Sequence, residues 1–129
     1  MQFKSYILAT VATLAAGAAL ALAAPAWAHH SHANYDSSEY LLMDGTVTEV
    51  HWMNPHVWLY LEIADEAGEQ SVWALEGGSV GALTRGGWQR DSMETGDTIA
   101  VRCYPLRDGS DGCLLGYITI PGQEEKEFD

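Results

Sequence analysis

A chain of 129 residues carrying 18 Asp+Glu against 6 Lys+Arg, a formal net charge of −12, has the length of one domain rather than two. Hydrophobic residues make up 47%, enough for a core and well above a disordered composition. The acidity excludes nucleic acid, which needs clustered Lys and Arg, and argues against an anionic membrane surface. Cations, neutral ligands or exported protein partners remain.

Residues 1–28 have the pattern of a secretory signal. Lys4 gives the positive start, Ile7 to Ala24 is apolar, and Ala26-Trp27-Ala28 supplies small residues at the −3 and −1 positions. Cleavage after Ala28 would start the mature chain at His29, with no stable membrane anchor left behind. A retained anchor is the alternative, because the stretch is about long enough to span a bilayer. Bacterial export, to the periplasm or beyond, is the expected localisation. Residues 29–40 (HHSHANYDSSEY) are polar and aperiodic and read as a flexible arm.

A β-domain is expected over residues 41–121. Its first strand spans Gly45 to Trp52 and ends at Asn54-Pro55, a corner because Pro fixes φ and Asn opens turns. From His56 to Ala64 the chain alternates, with Val57, Leu59, Leu61 and Ile63 on one face and His56, Trp58, Tyr60 and Glu62 on the other. Asp65 to Gly68 forms a hairpin loop, and a third strand returns over Glu69 to Glu76. Pairing Ala64 with Glu69 sets Leu61 opposite Val72, Leu59 opposite Ala74, and Tyr60 opposite Trp73. Ser79 caps a short helix, Val80 to Arg85, which Gly86-Gly87 closes. Thr98 to Tyr104 and Cys113 to Ile120 are the last strands, and residues 122–129 read as a frayed acidic tail. Three strands, a helix and two strands is the order of an all-β, five-stranded OB-like barrel. A small open β-sandwich is the alternative.

The arm HHSHANYD, the stretch WMNPHVWLYLEI, then WALEGGS, LTRGGW and YPLRDGS resemble a family of small exported bacterial proteins, domain of unknown function 6152. The spaced W-x-N-P-H, Trp52 to His56, is its most specific element. The resemblance runs from His29 to about Ile120. It implies export and a single domain, and it brings no activity with it.

All five histidines lie between residues 29 and 56. A terminal His29 would offer its α-amine and ring Nδ1 as one chelate, completed by His30 or His32. These are nitrogen donors that suit copper(II) best among divalent ions. His51 and His56 flank the Asn-Pro corner. They either approach one point as further metal ligands, or each bonds a backbone carbonyl and pins the corner. Met43 and Met53 are candidate thioether ligands for copper(I), or else core fillers. In the register above, Trp58, Tyr60 and Trp73 share a face, which is either core or a platform for a sugar or small apolar ligand. No nucleophile elbow, zinc-protease helix, C-x-x-C or P-loop is present. Cys103 and Cys113 flank one loop and, in an exported chain, should form a disulfide. The leading reading is an exported, non-catalytic binding domain that handles a transition metal, copper first. An adaptor or small-ligand module working through the aromatic face is the alternative, and an enzyme using a terminal-histidine copper site is a third class.

Overall fold

The computed structural model describes residues 32–129, so His29 and His30 lie outside the described residues. Asn34–Asp129 forms a compact unit made mostly of strands. A single 3-10 turn covers His32–Asn34, and six strands follow: β1 (Leu41–His51), β2 (Trp58–Ala64), β3 (Gln70–Glu76), β4 (Thr98–Pro105), β5 (Gly112–Thr119) and β6 (Lys126–Glu127). One helix, α1 (Val80–Arg85), lies between β3 and β4, as expected from the sequence.

The first strand starts earlier than its alternation suggested, because it serves two partners. Leu41 to Thr46 pairs with β4, and Thr46 to His51 pairs with β2. A bulge between Val47 and Glu49 changes the side-chain parity, so Val47 and Val50 both face the core although they are three residues apart. The strand order is β3-β2-β1-β4-β5, and β3 returns to β5 in parallel through Ala74, Leu75 and Glu76 opposite Gly112, Cys113 and Leu114. That pairing closes a five-stranded barrel, the OB-like topology, and leaves little strand edge open. Its interior holds Val47, Leu59, Leu61, Leu75, Ile99, Val101, Leu115 and Ile118, all essentially buried. Cys103 and Cys113 are disulfide-bonded there, with both residues fully buried.

The β2–β3 register differs from the expected one by one residue. Ala64 lies opposite Gln70, Leu61 opposite Trp73, and Leu59 opposite Leu75. The loop is one residue longer than assumed, since Asp65 closes it by donating its N–H to the Glu69 carbonyl at 2.9 Å. The Asp65 carboxylate also accepts the Ala67 and Glu69 amides, and Gly68 takes φ 81°, a left-handed value suited to glycine. Because side chains alternate along a strand, this one-residue shift carries Trp73 from the outer face to the core side.

Both chain ends of the domain correct the sequence reading. Tyr35, in the segment read as a flexible arm, is 5% exposed. Its neighbours are tied down: Asp36 N–H donates to the Pro105 carbonyl, and Arg107 N–H to the Asn34 carbonyl. At the other end, β6 pairs with Tyr117 and Ile118 of β5 rather than fraying. Phe128 is fully buried and meets the Trp88 ring edge-on at 5.0 Å. One aromatic residue in an otherwise acidic tail is enough to bring that tail back, because burying it removes a large apolar area from water.

Candidate functional site at the Asn-Pro corner

The segment Trp52-Met53-Asn54-Pro55-His56 joins β1 to β2, and several of its residues hold it in place. Trp52 packs against the core, and its carbonyl accepts from Arg90 Nη2 at 3.3 Å. Asn54 Oδ1 accepts the Val80 amide at 3.1 Å, and Ser79 Oγ accepts the Ala82 amide, so two side chains satisfy the free N–H groups at the start of α1. The Asn54–Pro55 bond is cis. Val57 N–H donates to the Gly78 carbonyl and Gly77 N–H to the Val57 carbonyl, stitching the corner to the chain leaving β3.

This stitching brings His56 to Glu76. His56 Nδ1 lies 3.0 Å from the Gly77 carbonyl oxygen and 3.3 Å from Glu76 Oε1. Both are acceptors, so Nδ1 carries a proton and donates, and Nε2 is the other nitrogen of a half-exposed ring. Glu76 is 6% exposed. Its other oxygen accepts a 2.6 Å hydrogen bond from the Tyr35 hydroxyl. Burial, and after it the bond to Glu76 and that carboxylate's charge, holds the Tyr35 hydroxyl far above the ordinary tyrosine value, so it remains a donor. Tyr35, Glu76 and His56 come from the arm, the end of β3 and the corner. Tertiary closure alone unites them.

Sequence reasoning missed Tyr35 and could not single out Glu76 among 18 acidic residues. The signals were slight: one aromatic residue in a polar arm, and one carboxylate ending an apolar strand before Gly77-Gly78. The other expected site residues are dispersed. His51 Nε2 bonds Glu49 Oε1 at 2.5 Å, and its ring edge meets Tyr60 at 5.0 Å. His51 lies opposite Trp58, so His51, Trp58 and Tyr60 share the outer face of β1 and β2, all half-exposed. Trp73 does not join them: it packs against the core and donates its indole N–H to Ser71 Oγ. His32 is exposed on the 3-10 turn, Met43 packs against the core, and Met53 is exposed. Among the described residues, no three His, Cys, Asp or Glu side chains are grouped to hold a metal ion.

A further cluster on the barrel's outer wall also escaped the sequence reading. Tyr40 stacks on Tyr104 at 4.2 Å and meets Tyr117 edge-on at 6.0 Å. The Arg102 guanidinium lies 4.3 Å from the Tyr117 ring centre and forms a two-pronged pair with Glu125. A groove of about 250 Å³ runs beside it, lined by Leu42, Asp44, Arg102 and Glu125 among others.

Fold and corner together define a small closed β-barrel in which a buried carboxylate, Glu76, lies beside a half-exposed histidine. A family model described as a family of unknown function (DUF6152) matches residues 18–115, and the chain belongs to that family. The matched span contains Tyr35, the whole W-x-N-P-H corner, Glu76 and both cysteines, while Phe128 lies beyond it. No curated protein matches the chain, and no solved structure does.

Proposed function

We propose that this protein is an exported, non-catalytic binding domain for a transition-metal ion, copper(II) foremost. His56 Nε2 is the donor of the folded domain; the His29 amine and the rings of His29, His30 and His32 form a separate donor set. The observation that carries the reading is the His56 ring, whose Nδ1 is held by the Gly77 carbonyl and the buried Glu76 while, among the described residues, no hydrogen bond engages Nε2. Metal-binding histidines are held in the same manner, through the nitrogen that does not touch the metal. His51 is left out, since Glu49 already engages its Nε2.

Calorimetric copper(II) titration of the chain beginning at His29 tests the proposal against a Met-extended chain, His29→Ala and His56→Ala. An extra residue moves the amine away from the His29 ring, so affinity should fall at least tenfold, about 1.4 kcal/mol. Affinity should also fall as pH drops through the imidazole range, because protons compete for the same nitrogens. Equal affinity in all four proteins would overturn the proposal.

A second reading follows from the outer row of His51, Trp58 and Tyr60, which suits stacking against a small neutral ligand. Chemical-shift changes confined to those rings on adding a sugar, with copper leaving the protein unaffected, would put that reading first.

A further inference from the structure

We infer that Glu76 is the positioning residue of His56, and that Tyr35 in turn holds Glu76. A carboxylate at 6% exposure in a barrel wall is costly unless its oxygens are paired. Among the described residues, Glu76 has no Lys or Arg partner. One oxygen accepts the Tyr35 hydroxyl, and the other faces His56 Nδ1. The Tyr35 bond leaves Glu76 little freedom to turn away, because Tyr35 is itself buried and its strand bridge to Leu106 fixes the backbone.

Three consequences follow for the imidazole. With the Gly77 carbonyl 3.0 Å and Glu76 3.3 Å from Nδ1, the ring takes the Nδ1–H tautomer, its plane is fixed, and the nearby negative charge makes Nε2 a stronger donor toward a cation. The ligand class is therefore a borderline divalent ion that accepts imidazole nitrogen, such as copper(II) or zinc. The metal consequence rests on the proposed function; the tautomer and ring orientation do not.

Nitrogen NMR of histidine-labelled chain beginning at His29 separates the two. Without metal, wild type should show His56 as the Nδ1–H tautomer, and Glu76→Gln, which leaves the Gly77 carbonyl as acceptor, should show a larger share of the Nε2–H form. On titration with zinc alone, the His56 Nε2 signal should move, with affinity lowered roughly ten- to hundredfold in Glu76→Gln. Tyr35→Phe should act in the same direction by a smaller factor. An Nε2–H tautomer in wild type overturns the inference, as does Glu76→Gln with wild-type tautomer and affinity. If the tautomers behave as stated but zinc never moves His56, the positioning of the ring stands and the metal-binding reading falls. Wild type and Tyr35→Phe keep the test decisive if Glu76→Gln does not fold.

Discussion

Tyr35 and Tyr40 are the residues whose ionisation the fold alters most visibly. The bond to Tyr104, with desolvation behind it, pushes the Tyr40 hydroxyl up to about 12. A raised value favours the neutral phenol in the folded chain. The resulting stabilisation is intact below the unfolded tyrosine value of about 10 and is lost as pH rises through the folded one. For Tyr40 the window runs from about 10 to about 12, and for Tyr35 it extends higher. Tyrosinate absorbance should therefore rise late for these two, and Tyr40→Phe and Tyr35→Phe should each remove part of the late phase. Gly116 gives an independent check, because a Cβ there would sit 2.8 Å from Tyr40 Cε1. Gly116→Ala should displace the ring, cost roughly 1–3 kcal/mol and return Tyr40 toward ordinary titration. Late ionisation of Tyr40 in that variant would contradict the stacking.

Between elements, the register of β2 and β3 decides what each tryptophan does. Trp73 packs against the core, whereas Trp58 stands on the outer wall opposite His51. Thermal unfolding should show Trp73→Ala costing roughly 3 kcal/mol and Trp58→Ala about 1 kcal/mol. The reverse order would restore the register expected from the sequence. The disulfide works at the same scale. Cys113 lies on the three-residue segment of β5 that pairs with β3, so the bond fastens β4 to the strand that closes the barrel. Replacing both cysteines with serine should lower stability by roughly 2–3 kcal/mol by the loop-entropy model for so short a loop. Denaturant titration, with and without reductant on the native chain, measures it.

For the whole molecule, the closing residues matter more than their acidity suggests. Phe128 donates its N–H to the Gly116 carbonyl, and its own carbonyl accepts from Gly78. The Trp88 indole N–H is bonded to the Glu127 carbonyl at 2.6 Å, and Lys126 Nζ lies 4.5 Å from the Trp88 ring centre. The last residues thus join β5, the Gly77-Gly78 segment and the loop after α1. Phe128→Ala should cost roughly 3–5 kcal/mol, a penalty for a core residue and out of scale for a tail. A melting temperature unchanged by the substitution would mean the end of the chain is dispensable.

The amino-acid sequence alone determined the local features: the alternation of β2, the Ser79-capped helix over Val80–Arg85, and the element order that gives an OB-like barrel. It also placed Cys103 and Cys113 close enough to bond, since one short loop separates them. Each of these rests on interactions among residues near in sequence, where spacing and side-chain chemistry settle the outcome. Only the tertiary structure decided that Trp73 turns inward, that Phe128 completes the core, and that Tyr35 and His56 meet across Glu76. A single loop residue reverses the face of a strand without changing its hydrophobic count. A buried carboxylate finds its partners only once the barrel has closed. Residues 41 positions apart, such as Tyr35 and Glu76, leave no mark of their pairing in a local pattern.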